Sequence, residues 1–310
     1  MNTSCILFAN GASNHIMYFS GGNKMKELNS CKAAMQSCIE KKYFAVAHLY
    51  KDEKAMAMHI HDCYEVYYSI SGAKQFLIGN KLYPIEPGDV FLINQYESHY
   101  LTQIDQAVHE RIVISIHPEF IRQLSTTQTD LDYCFSHRPD NFCHRLRLSP
   151  NDQKRFLFYI NKLLTSNDFG CDLLEKAVFT ELFVMLNGIC IAGETAAEEE
   201  PGSAYHSQVD EILSYINNHI GQPISLTDLA ATFYISESYL CRIFKATTGT
   251  TINKYIIARR ISIAKSYLAE GISVTDVCAR CGFNDYSNFL KSFTKSVGLS
   301  PKKYAQLCNQ

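Results

Sequence analysis

The pattern of hydrophobic and polar positions changes character near residue 149 of the chain. Before that point the hydrophobic residues form short runs rich in Val, Ile, Tyr and Phe, separated by Gly, Pro, Asn and Asp. Runs of this length and composition predict β-strands joined by turns. After that point hydrophobic residues recur every three or four positions, which predicts helices. The chain is therefore predicted to be an α+β protein with its strands in the N-terminal half.

Seven short strands are predicted between residues 44 and 116. They are Phe44–Tyr50, Glu65–Ser71, Lys74–Ile78, Lys81–Ile85, Val90–Ile93, His99–Gln103 and Arg111–Ile116. Turn residues such as Gly79-Asn80 and Pro87-Gly88-Asp89 separate them. Short strands with such turns are typical of an antiparallel barrel or jelly roll. Residues 1–42 show little periodicity and are interpreted as an N-terminal arm.

Two helices are predicted between the strands and residue 192. Ser149 and Pro150 suit the N-cap and first-turn positions of the first helix. The second, over residues 172–192, carries a wide apolar stripe: Leu173, Leu174, Ala177, Val178, Leu182, Met185, Leu186 and Ile189. Two interpretations stay open, because the stripe could pack on the barrel or could also bury against a second copy of the chain. Residues 43–192 are interpreted as a sensor and dimerisation domain, and the polar, acidic residues 193–204 as a linker.

Beyond the linker the sequence repeats itself. Ser225-Leu-Thr-Asp228 recurs as Ser273-Val-Thr-Asp276, and each is an N-terminal capping signal for a short helix. Downstream, residues 238–255 align with residues 287–304. Each copy predicts a short helix, a tight turn and a second helix, which is the arrangement of a helix-turn-helix unit.

These elements predict an all-α tandem domain at residues 205–310, with helix-turn-helix units at 225–247 and 273–296. A long helix, Thr251–Ala269, is predicted between the units. Its predicted inward positions are Ile257, Ile261, Ala264 and Leu268. Such a helix would hold the units in one relative orientation, which two recognition helices need to enter successive major grooves.

Charge is distributed unevenly between the two parts. Residues 205–310 carry 11 Lys and Arg against 7 Asp and Glu, whereas the rest carries 18 against 24. A basic end on an acidic body indicates a polyanionic partner.

The 12 cysteines are scattered over a large chain, which favours reduced thiols over a disulfide framework. Apolar runs such as Val90–Ile93 are far shorter than a membrane span of about 20 residues, and no secretion signal opens the chain. We expect a cytoplasmic protein with no membrane partner.

The tandem domain resembles the AraC/XylS family of bacterial transcription regulators. The resemblance rests on "LTDLAATFYISESYLCRIFKATTG", "ARRISIAKSYL" and above all "SVTDVCARCGFNDYSNFLKSFTKSVGLSPKKY". The N-terminal half resembles the cupin-type effector domain that many members carry. The resemblance implies a cupin-like β-barrel with dimerisation helices and a DNA-binding domain. It also implies a double-stranded DNA operator, a small-molecule effector such as a sugar, a homodimer, and RNA polymerase as a further partner.

The same resemblance implies which residues face DNA. Base-facing positions of the two recognition helices fall on Ser238, Cys241 and Arg242, and on Tyr286, Ser287, Asn288, Leu290 and Lys291. Arg242 and Lys291 have the chemistry to read guanine, and Asn288 can pair with adenine. Lys245 and Lys295 suit phosphates, which provide affinity rather than sequence readout.

A histidine motif precedes the second predicted strand. His59-x-His61-x-x-x-Glu65 matches the spacing of the first cupin motif, and His99 occupies the histidine position of the second. If the strand is continuous, alternation places His59, His61, Glu65 and Tyr67 on the barrel interior. Three imidazoles and a carboxylate can hold Fe, Mn, Ni or Zn. In cupin-bearing regulators this frame often persists as hydrogen-bonding residues without metal, so both interpretations stay open.

We therefore predict an effector pocket inside the barrel. Its polar anchors, which are also the candidate ligands of a divalent metal cofactor, are His59, His61, Glu65 and His99, and its walls are Tyr67, Phe76 and Ile78. Three alternatives remain: a metal-dependent cupin enzyme fused to a DNA-binding domain, a regulator without any effector, and an interaction module that does not bind DNA. Nothing beyond the four candidate ligands suggests a substrate, so we predict no enzymatic activity.

Overall fold

A computed structural model of the chain describes residues 28, 30–50, 58–71, 73–102, 109–139, 142–165, 169–194 and 204–308. The strands are β1 (Phe44–Leu49), β2 (Tyr64–Ser69), β3 (Ala73–Ile78), β4 (Lys81–Ile85), β5 (Asp89–Ile93), β6 (His99–Thr102), β7 (Arg111–Ile116) and β8 (Arg145–Arg147). The helices that accompany them are α1 (Cys31–Lys41), α2 (Pro118–Leu124), α3 (Tyr133–Ser136), α4 (Pro150–Thr165) and α5 (Cys171–Glu194). The C-terminal helices are α6 (Ala204–Asn218), α7 (Leu226–Thr232), α8 (Glu237–Thr248), α9 (Ile252–Ala269), α10 (Val274–Arg280), α11 (Tyr286–Val297) and α12 (Pro301–Cys308).

The strands form two antiparallel sheets. One has the order β1-β7-β2-β5-β8 and the other β4-β3-β6. Alternation along β2 sends Val66 and Tyr68 into the core beneath the helices, and Tyr67 into the space between the sheets. The larger sheet is therefore buried on both faces. This arrangement confirms the predicted cupin-like barrel, with a strand after residue 116 that the sequence analysis did not include.

The last part of the predicted arm belongs to the barrel. Residues 31–41 form α1, whose N-cap Ser30 accepts a hydrogen bond from the backbone of Ala33 at 3.2 Å. Ala34 and Cys38 are fully buried where α1 packs on β1 and β7. Small residues gave this helix a weak apolar stripe, which the sequence pattern did not resolve. Residues 1–27 lie outside the described residues.

Helices α4 and α5 cover the outer face of the larger sheet. Phe156 and Ile160 of α4 and Leu182 and Leu186 of α5 are buried in that core. Helix α5 has the length and hydropathy of a membrane-spanning helix. The apolar residues on its buried face pack in the core, and they raise the mean hydropathy of the helix. Of the two interpretations of the α5 stripe, packing on the barrel accounts for these buried positions.

The C-terminal part contains both predicted helix-turn-helix units. Ser225 accepts a hydrogen bond from the backbone of Asp228 at 3.0 Å at the start of α7, and Ser273 does the same for Asp276 at 3.2 Å at the start of α10. Gly249 ends α8 and has a left-handed φ of 72°, which glycine adopts without a Cβ penalty. Residues 195–203, most of the predicted linker, lie outside the described residues.

Helix α9 is rotated slightly from its predicted orientation. Ile261 and Leu268 are buried as predicted, but Ile257 is 39% exposed, so its assignment to the inward face was wrong. Ile256 is buried instead. Two adjacent isoleucines satisfy the same helical period, and only the packing partners decide which of them faces inward.

Candidate functional sites

The predicted histidine motif does not lie on one continuous strand. Strand β2 begins at Tyr64, as the predicted Glu65–Ser71 strand required within one residue, so the condition of a continuous strand from residue 59 to residue 67 is not met. His59 instead pairs with His99 in an isolated antiparallel bridge. The backbone N–H of His59 donates to the His99 carbonyl at 3.2 Å, and that of His99 donates to the His59 carbonyl at 3.1 Å. The bridge brings the two halves of the motif together at the barrel wall.

Three histidines form a compact cluster beside a carboxylate. One ring nitrogen from each of His59, His61 and His99 lies within 4.8 Å of the others. The Glu65 carboxylate lies 3.1 Å from Nε2 of His61 and 3.9 Å from Nε2 of His99. His61, Glu65 and His99 are each less than 7% exposed. All four predicted polar anchors are therefore brought together.

Backbone carbonyls orient two of these imidazoles. Nδ1 of His61 lies 2.8 Å from the Cys63 carbonyl, and Nδ1 of His99 lies 2.9 Å from the Glu97 carbonyl. Because a carbonyl only accepts hydrogen bonds, each Nδ1 carries the proton and each Nε2 faces the cluster. Nε2 of His99 is buried without a hydrogen-bond partner. A hydrogen bond at one ring nitrogen orients the other ring nitrogen of an imidazole toward a metal. The donor set therefore fits a divalent transition metal.

Burial and pairing separate the charge states within the cluster. Burial lowers the pKa of His99 to about 4, so this imidazole is neutral near pH 7. Burial also opposes the charged form of His61, but its interactions with Cys63 and Glu65 outweigh this and raise its pKa well above the ordinary value. Burial opposes ionisation of Glu65, but the hydrogen bond from His61 and the nearby imidazoles hold its pKa well below the ordinary value. The cluster thus presents a carboxylate, an imidazolium and a neutral imidazole within one small volume, and a metal held by Nε2 of His61 would displace the proton from that nitrogen.

A cavity of about 450 Å³, including its open mouth, adjoins this cluster. Its lining residues are Cys31, His59, Glu65, Tyr67, Phe76, His99, Tyr100, Leu101, Arg111 and Val113. Tyr67 and Phe76 line it as predicted, whereas Ile78 is buried in the adjoining core and is not one of the lining residues. The sequence analysis missed Arg111, which is 5% exposed. Its alternation with Val113 on β7 could have indicated that it faces the interior.

The first candidate recognition helix, α8, exposes a polar face. Its four candidate DNA contacts are exposed: Ser238, Cys241, Arg242 and Lys245. The guanidinium of Arg242 lies 5.3 Å from the ring centre of Tyr239. The opposite face of α8 is buried through Leu240 and Phe244. Burial of one face leaves the candidate residues directed to solvent.

The second candidate recognition helix, α11, has a similar division. Asp285 caps it by accepting hydrogen bonds from the backbones of Ser287 and Asn288 at 3.1 and 2.9 Å. The exposed candidates are Tyr286, Ser287, Asn288, Lys291 and Lys295. Leu290 is half-buried and packs against the core of this unit. This packing accounts for the partial burial of Leu290, and its DNA contact stays a prediction.

A narrow exposed stripe runs along α5. Its large members are Leu173, Val184 and Ile191, which are 67%, 54% and 47% exposed. Ala177 and Gly188 lie between them and are also exposed. The intervals of 11 and 7 residues place the large members on one side of the helix. These exposed residues lie on a different face from the buried Leu182 and Leu186, which belong to the wide apolar stripe predicted from the sequence.

Known proteins resemble both parts of the chain. Residues 42–183 match the family model of the AraC-like ligand binding domain, and residues 229–306 match that of a helix-turn-helix domain. The HTH-type transcriptional activator RhaR of Salmonella schwarzengrund is 24% identical over 272 residues, which are 87% of this chain and 94% of that protein. ToxT of Vibrio cholerae O395 is 16% identical, with 86% of this chain and 98% of that chain covered and a TM-score of 0.34. The DNA-binding domain of AdpA in complex with a target DNA is 28% identical, with 31% and 88% covered and a TM-score of 0.31.

Proposed function

Because the chain belongs to the AraC family of transcription regulators, we propose which of its surfaces bind DNA, the effector and a second chain. The chain is an effector-sensing, DNA-binding transcription regulator. The assignments below are supported by the different placement of polar side chains in the two domains. Polar side chains are exposed on two equivalent helices of the C-terminal domain, whereas polar side chains converge in a buried cavity of the barrel.

The DNA-contact surface consists of the exposed faces of α8 and α11. Arg242, Asn288 and Lys291 read base edges, whereas Lys245 and Lys295 bind phosphates. Selection of bound sequences from a randomised DNA library by the full chain tests this surface. We expect enrichment of a site with two separated contact regions. Equal recovery of all sequences would contradict base readout.

The effector pocket is the barrel cavity, and His59, His61, Glu65 and His99 are its polar anchors. Tyr67 and Phe76 supply aromatic walls, and the small volume suits a compact polar molecule such as a sugar. When a divalent metal is bound, it supplies a Lewis-acidic point that orients the oxygen atoms of such a molecule. His61 and His99 would hold it through Nε2, together with His59 and Glu65.

Mass spectrometry of compounds that co-purify with the full chain, together with metal analysis, identifies the occupant. His61→Ala and Glu65→Gln should abolish the response of DNA binding to that compound, because each removes an anchor. Chelation should reproduce both variants only if a metal takes part. An unchanged response in both variants would place the effector elsewhere.

A homodimer forms through the exposed stripe of α5. Val184 and its apolar neighbours lie at a regular helical interval, and Ala177 and Gly188 allow close approach of a second helix. Val184→Glu should give a folded monomer in analytical ultracentrifugation at micromolar concentration, whereas Val184→Thr, which keeps the side-chain shape, should stay dimeric. A wild-type chain that is monomeric both with and without DNA would contradict this proposed interface.

The relatives are transcription regulators, which are not enzymes, and we propose no catalytic role for the histidine cluster. The description of RhaR as an activator supports RNA polymerase as a further partner. It also supports a cytoplasmic location, where a bacterial regulator meets its operator.

A further inference from the structure

Two short segments of the barrel wall alternate between the pocket and the DNA-binding domain. In the segment 58–62, His59 and His61 belong to the histidine cluster. Ile60 packs against the core that α9, α11 and α12 share, and Asp62 forms an ion pair with Lys265 of α9. Neighbouring residues of one segment therefore contact the two candidate functional parts of the molecule.

The second segment, 96–100, has the same alternation. His99 faces the cavity, while Ser98 accepts a hydrogen bond from Arg259 of α9 at 3.4 Å. Tyr100 lines the cavity and also packs within the core formed by α6, α8 and α9. The segment is thus a second strip of wall with the pocket on one side and helices on the other.

Backbone hydrogen bonds join the two segments into one unit. The reciprocal bonds between His59 and His99 form one end, and the backbone N–H of Tyr96 donates to the His61 carbonyl at 2.9 Å at the other. The side-chain amide of Gln95 also donates to the Asp62 carbonyl at 2.8 Å. A displacement of one segment is therefore passed to the other.

The contacts on the helical side converge on α9. Its Tyr255 hydroxyl donates to the Gly79 carbonyl of the barrel at 2.9 Å. Lys265 is 4% exposed, and its ammonium lies 5.4 Å from the ring centre of Tyr96 and 5.3 Å from that of Tyr304. A lysine this deeply buried is costly unless it is paired, so the Asp62 contact matters for this arrangement.

Helix α9 is the element through which the barrel can reach both DNA-binding units. It connects the first unit to the second, and its residues contribute to the cores of both. Arg259, which contacts Ser98, also donates to Asn217 of α6 at 2.7 Å. A shift of α9 relative to the barrel therefore changes how the two recognition helices are presented.

We propose that the wall formed by residues 58–62 and 96–100 transmits the state of the barrel pocket to the DNA-binding domain, with Asp62–Lys265 as the connecting contact. The inference rests on the proposed effector pocket. An occupant held by His59 and His99 sets the position of the neighbouring residues Ile60, Asp62 and Ser98 relative to α9. A ligand changes DNA binding only through such a difference between arrangements.

If Asp62–Lys265 dominates over the other wall contacts with α9, breaking it removes most of the effect of the pocket on DNA binding. In the otherwise unchanged chain, Glu65→Gln in the pocket should change the affinity for the selected DNA site about five-fold or more. In a chain that also carries Lys265→Gln, the same pocket substitution should change the affinity less than about two-fold. Asp62→Asn breaks the contact from the barrel side and should give the same result.

Lys254→Gln is the matched control, because Lys254 is exposed on α9 and its loss removes the same charge. In that background the effect of Glu65→Gln should be undiminished. A pocket effect that keeps its full size in both the Lys265→Gln and Asp62→Asn chains would overturn the proposal. An absence of any pocket effect in the otherwise unchanged chain would overturn it too, while DNA selection and ligand identification would still test the proposed function separately.

Hydrogen exchange of the full chain provides a second measurement that needs no DNA. Glu65→Gln should alter the exchange of α9 amides between Tyr255 and Lys265, and Lys265→Gln should remove that change. Alteration confined to β2 and the histidine cluster would show that the pocket is not linked to α9, which would contradict the proposal.

Discussion

Phe244 packs on Tyr255 in the first helix-turn-helix unit, and Phe293 packs on Tyr304 in the second. In both pairs the ring centres are 5.7 Å apart and the ring planes meet at 67°. The residues that surround these pairs are nevertheless different, since the first core includes Tyr100 of the barrel. Close packing tolerates few arrangements of two aromatic rings, so the same pair recurs at the same spacing.

The exposed faces of the two units have diverged. Helix α8 presents Cys241 and Arg242, whereas α11 presents Tyr286, Asn288 and Lys291 at its exposed positions. Exposed positions carry no packing constraint and are free to differ. The comparison therefore separates a shared scaffold, on which stability depends, from two distinct surfaces on which we expect sequence preference to depend.

The largest effects should come from the shared aromatic pairs. Phe244→Ala or Phe293→Ala should lower the free energy of unfolding by about 3–5 kcal/mol, because each removes a fully buried ring. Hydrogen exchange of the full chain should show lost protection in the altered unit first. Equal loss in both units from either substitution would mean that they unfold as one body rather than as two scaffolds.

The recognition faces should respond differently. Arg242→Ala should relax preference at one or two base pairs in the region bound by α8, and Lys291→Ala in the region bound by α11, each at a cost of about 1–3 kcal/mol for the preferred site. Repeated selection from a DNA library measures both. If either variant lost affinity equally for all sequences, that residue would be assigned to phosphate contact instead.

The caps should behave as equivalents. Ser225→Ala and Ser273→Ala each remove a hydrogen bond to the third residue of a short helix, and each should lower the free energy of unfolding by about 1 kcal/mol. Chemical denaturation measures the loss, with Ser225→Asn and Ser273→Asn as controls that keep a capping acceptor. A large difference between the two alanine variants would show that the units depend unequally on their first helices.

The smallest effects should come from the lysines assigned to phosphates. Lys245→Ala and Lys295→Ala should weaken binding to all DNA sequences alike and reduce the slope of log affinity against log salt by about one each. Titrations at several salt concentrations with the selected and an unrelated DNA duplex measure this. A loss restricted to the selected duplex would assign that lysine to base readout.

The sequence predicted the helix-turn-helix units well because their determinants are local. A cap involves residues three positions apart, and a helical face repeats within a single segment, so the caps Ser225 and Ser273 could be assigned before any tertiary contact was known. The candidate DNA contacts followed from the same repeat and are exposed, with Leu290 half-buried. The spacing of His59, His61 and Glu65 likewise predicted a cluster with His99, which the structure contains.

Where local sequence allowed several residues to be buried or several segments to pair, the tertiary structure decided between them. Ile256 and Ile257 fit the helical period equally, and only the packing of α9 chose between them. The bridge between His59 and His99 joins residues 40 positions apart, and β2 begins only at Tyr64, after that bridge. Lys265 has no sequence feature that distinguishes it from the exposed Lys254, because its burial depends on Asp62, Tyr96 and the orientation of a separate domain. Local patterns determine elements and caps, whereas contacts between distant segments determine which faces those elements bury.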